Sequence, residues 1–196
     1  SATLPQKMRR ELVEAFADGL GIEPRAPVRD DYPLVTHLTL EGLEEHPVSA
    51  RHASRRRVTV LPLLDDEAVT DHLLAALEAG RCACWIRNSV DDAIDAYRNW
   101  TARLGPGRVT LFHARFALSD RLRLEQEVLD RFGPKSDAVA RAGRLLIATQ
   151  VVEQSLDLDF DAMVTDLAPI DLVIQRAGRL MRHSRTRDGS RTGEDD

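Results

Sequence analysis

The chain has 196 residues, 43% hydrophobic and 30% charged, with a formal net charge of −5. That balance fits one sizeable globular core with an appendage, and no apolar run approaches the roughly 20 residues that span a bilayer. The negative balance excludes binding of polyanions through a global field, so any nucleic-acid contact has to be a local patch.

The opening Ser1-Ala2-Thr3-Leu4-Pro5 carries neither a secretory pattern nor an initiator Met, as expected of a piece of a longer cytoplasmic protein. Gln6 to Leu20 predicts a helix: Met8, Leu12, Ala15, Phe16 and Leu20 recur at helical spacing and Gly21 can stop it. Residues 22–33 are rich in Pro and charge and read as loop. Two β-prone runs follow, Leu34 to Leu40 and Arg57 to Leu63. The polar stretch between them reads equally as a hairpin arm or an insertion.

From Asp65 the pattern becomes alternating helix and strand. Helices are expected at Asp66–Ala79, Val90–Leu104, Ser119–Phe132 (with Ser119 as N-cap and Gly133-Pro134 as stop) and Ile170–Leu180. Strands are expected at Cys82–Arg87, Arg108–His113, Arg144–Thr149 and Ala162–Asp166. After Arg185 the composition reads as a disordered tail. The two cysteines, Cys82 and Cys84, have neither zinc nor redox spacing; on a strand they share a face and read as core residues.

This alternation predicts an α/β fold, a parallel sheet with helices on both faces, RecA- or Rossmann-like. Ligands of such sheets sit beyond the carboxyl ends of the strands. The residues leaving those ends are Asn88, His113, Thr149 and Asp166.

Two segments carry the chemistry. In Gln175-Arg176-Ala177-Gly178-Arg179-Leu180-Met181-Arg182-His183, Arg176 and Arg179 are spaced three apart to share a helix face, with Gly178 between them keeping that face low enough for a phosphate chain to approach. A planar guanidinium clamps phosphate oxygens and neutralises charge on a transferring phosphoryl group. The competing reading is a solvated basic helix end. Upstream stands Ile147-Ala148-Thr149-Gln150-Val151-Val152-Glu153-Gln154-Ser155-Leu156-Asp157-Leu158-Asp159-Phe160-Asp161. Thr149 ends a strand, so its hydroxyl and the following amides are expected at the functional edge, suited to phosphate-backbone contact. The alternation of 157–161 points the aspartates one way and sends Leu158 and Phe160 into the core; it does not resemble a metal loop, which wants Gly and small polar spacers.

Together, in order, these segments resemble motifs V and VI of superfamily 2 helicases, in wording like the CRISPR-associated helicase–nuclease of type I interference systems. Ser1-Ala2-Thr3 resembles motif III, Trp85 to Ala93 motif IV, and Phe112-His113-Ala114-Arg115-Phe116 the segment after the next strand; Tyr32 to Thr36 also suits the family. Ser155 departs from the Gly common in motif V of other helicases.

The resemblance implies that Arg179 and Arg182 are arginine fingers and that Gln175 faces the γ-phosphate. It implies that Asp157 meets the nucleotide sugar or couples domains, and that Thr149, Asn88, Ser89, His113 and Arg115 hold DNA backbone. Ser1 and Thr3 would belong to a coupling segment. Residues 1–64 would link from a first RecA-like domain, 65–184 would be the second, and 185–196 a tail. ATP and Mg²⁺ are expected in the whole protein and not bound tightly by this chain alone, because no G-x-x-x-x-G-K-[ST] loop occurs. The six histidines make no ligand pattern, so no metal site is expected. Implied partners are single-stranded DNA, a first RecA-like domain in cis and a CRISPR surveillance complex, with no membrane. The rival readings are an RNA-directed helicase fragment and a nonenzymatic RecA-like binding module.

Overall fold

The apolar spacing at Gln6–Leu20 makes helix α1 in a computed structural model that describes residues 4–23, 25–49, 57–153 and 156–185. Ser1, Thr3, Ser155 and the tail from 186 lie outside the described residues. Gly21 ends α1 at φ 68°, in the left-handed region that a side chain would strain. The helix buries Val13 and Ala17, while Met8, Leu12, Phe16 and Leu20 stay exposed.

Leu34–Thr39 (β1) and Gly42–Pro47 (β2) form an antiparallel hairpin, in register from Leu34↔Pro47 to Thr39↔Gly42. The second arm therefore lies in the polar stretch, and the β-prone run Arg57–Leu63 is no strand. Val60 and Leu61 of that run are exposed, and Leu63 packs against the core of the following unit. β-propensity without an edge to pair with leaves only an extended strap. Glu45 binds the first unit, Ser1–Arg57, together. Its nearly buried carboxylate faces Arg9 of α1 at 3.4 Å and accepts from the backbone N–H of Val28 at 2.9 Å and Arg29 at 3.1 Å.

The second unit, Val58–Asp196, holds the sheet. Its elements are α2 (Asp66–Glu78), β3 (Ala83–Ile86), α3 (Val90–Leu104), β4 (Val109–Phe112), α4 (Leu118–Phe132), α5 (Ala138–Arg141), β5 (Leu145–Ala148), a 3₁₀ turn (Gln150–Glu153), β6 (Ala162–Thr165) and α6 (Ile170–Ala177). Asp65 caps α2 by accepting from the Ala68 N–H at 2.8 Å. Ser119 does not cap α4: the helix begins one residue earlier, with Ala117 in the cap position and no side-chain bond there.

The sheet order is β4-β5-β3-β6, all parallel, with Trp85 of β3 opposite Ile147 of β5 and Val164 of β6. Side-chain alternation gives it two buried faces. Trp85, Leu145, Ile147 and Val164 meet Leu73 and Leu77 of α2 and Trp100 of α3. Cys84, Ile86, Leu146 and Ala148 meet Val128 and Phe132 of α4 and the segment Leu158–Phe160, with the Phe132 and Phe160 rings 5.3 Å apart. Both cysteines are buried and unpaired on this second face, and burial pushes their thiols well up.

Candidate functional site

The exits of β5, β3 and β6 emerge side by side, because those strands are neighbours. Asp166 closes two of them: its carboxylate accepts from Arg87 Nε at 3.0 Å and from the Asn88 N–H at 2.9 Å. Arg87 also lies over the Trp85 ring at 4.6 Å. Asn88 is exposed, and its side-chain amide donates to the Leu167 carbonyl at 2.7 Å. Ser89 serves α3 as N-cap, accepting from the Asp92 N–H at 3.0 Å.

Two expected contact residues are placed differently. Thr149 is 2% exposed, so its hydroxyl is not presented at the edge. The cause is the 3₁₀ turn that follows, whose Val152 N–H folds back to the Thr149 carbonyl at 3.4 Å. His113 is also buried. It stacks on Phe116 at 4.1 Å, with its Nδ1 accepting from the Arg115 N–H at 3.2 Å. Burial, then the Arg115 charge, lowers the His113 pKa, so the ring is neutral near pH 7. Arg115 itself is at the surface, paired with Asp91 at 3.1 Å.

Arg176 and Arg179 do not share a helical face, and Arg182 lies beyond the helix as well. Helix α6 ends at Ala177, not at Leu180. A Cβ at Gly178 would lie 3.1 Å from the Gln175 carbonyl, so this glycine answers first to local packing. The chain then leaves the helix to form a parallel bridge between Leu180 and Phe160: the Phe160 N–H donates to the Arg179 carbonyl at 2.9 Å, and the Met181 N–H to the Phe160 carbonyl at 2.8 Å. Met181 takes φ 44°, uncommon for a side-chain-bearing residue. Pairing with the 156–160 segment has won over one more helical turn.

In this arrangement Arg179 donates to the carbonyls of Leu156 and, at 2.9 Å, Glu153. Burial first, then the like charge of Arg182, lowers its pKa. Arg182 Nε is 2.7 Å from Asp157 Oδ1, with both side chains 43% exposed, and His183 Nε2 is 3.3 Å from the other oxygen. Gln175 is half-buried beside them in sequence.

The three aspartates of 157–161 do share a side, and that side is lined with arginine. Asp159, 0% exposed, accepts from Arg185 Nε at 2.6 Å and from the Arg182 N–H at 2.7 Å, with Arg141 at 3.6 Å. Asp161 faces Arg141 at 3.2 Å and accepts from the Cys82 N–H at 2.9 Å. Among the described residues no group of three or more His, Cys, Asp or Glu is placed to hold a metal ion.

The sequence reading faces Arg176 outward beside Arg179, and the structure turns it inward. It is 2% exposed, which overturns the solvated-helix-end reading at this position. Its Nε donates to Glu153 at 2.7 Å, and its Nη1 to the Thr165 hydroxyl at 2.5 Å and the Asp166 carbonyl at 3.2 Å. Its Nη2 reaches the Asn88 side-chain oxygen at 3.5 Å. The signal was available: Arg176 falls three and four residues after Val173 and Leu172, on the apolar side of α6.

A parallel sheet in this order, covered on both faces, defines an α/β domain of the RecA-like class. Residues 79–185 match the family described as CRISPR-associated nuclease/helicase Cas3, C-terminal, and the chain belongs to that family. It is 35% identical to the CRISPR-associated nuclease/helicase Cas3 of Streptococcus thermophilus, over 93% of this chain and 20% of that protein. The crystal structure of T. fusca Cas3-ATP superposes with TM-score 0.76 at 32% identity, covering 93% of this chain and 23% of that one. A chain of a CRISPR RNA-guided surveillance complex in a pre-nicking state gives 0.73 at 28%, covering 97% and 26%. The chain thus spans about a fifth to a quarter of the length of these proteins.

Proposed function

We propose that this chain is the second RecA-like domain of an ATP-dependent DNA helicase of CRISPR interference, and that Arg179 and Arg182 complete an ATP site on a first RecA-like domain in cis. The observation that carries the proposal is the division among three arginines. Arg176 is committed inside the domain, whereas Arg182 is half-exposed on a displaceable carboxylate, and Arg179 is held by two neutral carbonyls. A phosphate oxyanion is a stronger acceptor than a neutral carbonyl. Arrival of the terminal phosphate therefore draws the Arg179 fork off the Leu156 and Glu153 carbonyls and competes with Asp157 for the Arg182 fork. Charge developing on the bridging oxygen then strengthens their hold in the transition state.

Gln175 turns to the terminal phosphate, and Asp157 keeps Arg182 aimed until the phosphate takes it. Asn88, Ser89 and Arg115, with backbone amides near Thr149, grip single-stranded DNA at the carboxyl edge of the sheet. When bound, ATP–Mg²⁺ supplies the phosphoryl group; its cradle and metal ligands belong to the first domain, so this chain alone binds ATP weakly and does not turn it over. The whole protein works in the cytoplasm beside a surveillance complex, a reading supported by the likeness to the chain of such a complex.

The test uses the full-length protein carrying this chain. Arg179→Ala and Arg182→Ala should each lower ATP turnover by roughly 10³-fold with little change in single-stranded DNA affinity. Lys should rescue poorly, because one ammonium does not reproduce the planar fork. Normal turnover with lost DNA binding would make these residues backbone grips. Competition between oligothymidine and oligouridine separates DNA from RNA, and titration calorimetry of the isolated chain with ATP–Mg²⁺ tests its inactivity.

A further inference from the structure

The Arg176–Glu153 pair is almost sealed from solvent, with side chains 3% and 5% exposed. Such pairs rarely stabilise more than apolar residues of the same volume, so their value lies in specifying geometry. This one specifies a great deal. One guanidinium ties α6 to the turn after β5 (Glu153), to the end of β6 (Thr165 and Asp166) and to the exit of β3 (Asn88). Glu153 acts twice: its carboxylate anchors α6, and its backbone carbonyl holds Arg179 at 2.9 Å. The turn that carries it begins immediately after Thr149.

We infer that Arg176 and Glu153 are positioning residues that transmit DNA occupancy at the exits of β3 and β5 to Arg179. The inference rests on the motor reading above. DNA backbone pressing on Asn88 or on the 150–153 turn moves Glu153 and Arg176 as a unit, since separating them would leave two buried charges unpaired. The Glu153 carbonyl moves with them, and Arg179 is released toward or withdrawn from the phosphate. The contacts form a continuous chain in which every link is a named hydrogen bond.

The experiment measures ATP turnover of the full-length protein with and without saturating oligothymidine, for Glu153→Gln and Arg176→Lys. E153Q keeps an acceptor for Arg176 and removes the charge. R176K keeps the charge and loses the reach to Asn88 and Thr165. The ratio of stimulated to unstimulated turnover should fall by roughly tenfold in both, within the usual range of coupling factors, while oligothymidine affinity changes little. Partial unfolding lowers both rates together and leaves the ratio intact, so a parental ratio in either variant overturns the inference. Where a variant shows no turnover, hydrogen exchange reads the same link: oligothymidine should protect residues 170–177 in the parent and not in the variant. Equal protection in both, or none in the parent, also overturns it. Arg179→Ala keeps the two failures apart: normal turnover there defeats the motor reading, whereas lost turnover beside a retained ratio in E153Q defeats only the coupling.

Discussion

The two faces of the sheet are held by different physics. On the α2–α3 face, Leu73, Leu77 and Trp100 lie on Trp85 and Ile147 in an all-apolar layer. On the other face an apolar layer around Phe132 and Phe160 is bordered by Asp159, Asp161, Arg141 and Arg185, all fully or largely buried. Apolar contact is non-directional and tolerates small slides. A buried carboxylate with two fixed donors and a further guanidinium beside it allows one arrangement. The ionic border holds the segment proposed to carry the arginine fingers, for the Arg182 N–H itself ends on Asp159. The apolar face carries bulk stability, and the ionic border carries direction.

The strongest way to break this contrast is Asp159→Ala, which strands Arg185 without a buried counter-charge and leaves Arg141 with Asp161 alone. Loss of about 3–5 kcal/mol is expected in urea denaturation, with lost ATP turnover in whatever protein remains folded. Trp100→Ala should cost about as much stability, roughly 3–5 kcal/mol, yet leave turnover per folded molecule near the parental value. Equal functional loss in both variants would end the distinction. A smaller effect separates two serines that look alike in sequence. Ser89→Ala should cost about 1 kcal/mol as a lost N-cap, and Ser119→Ala almost nothing, because Ser119 lies inside the first turn of α4.

The smallest effect concerns pH. His113 has its folded pKa depressed by burial. Its contribution is therefore present above the ordinary histidine value and is lost as pH falls through that value toward the folded one. Melting temperature should drop from pH 7.5 to 5.5, and His113→Gln should flatten the drop. A parallel decline in both proteins would place the titration elsewhere.

Much of the fold was legible because periodicity is local. The strands at 83–86, 109–112, 145–148 and 162–165 fall inside the four apolar runs, and α2 and α3 end within a residue of the expected Ala79 and Leu104, just ahead of Gly80 and Gly105 at positive φ. The hairpin was not legible: β2 is polar, and its pairing depends on β1 and on Glu45, a contact across 36 positions from Arg9 (45 − 9). The end of α6 was misread for the same kind of reason. Nothing within residues 170–180 shows that Phe160 offers Leu180 a parallel bridge.

The sequence by itself determined the four parallel strands and their order along the chain, the family, and the two segments that carry the arginines and aspartates, because these follow from short-range pattern and motif wording. Only the tertiary structure decided their states. It sank Arg176 against Glu153, buried Thr149 and His113, paired Arg182 with Asp157, and turned the aspartate run onto arginines. Whether a charge is solvated, buried and paired, or free to be drawn away depends on which distant groups surround it. Those neighbours are set by the stacking of β3, β5 and β6, which brings together residues 88, 153 and 176.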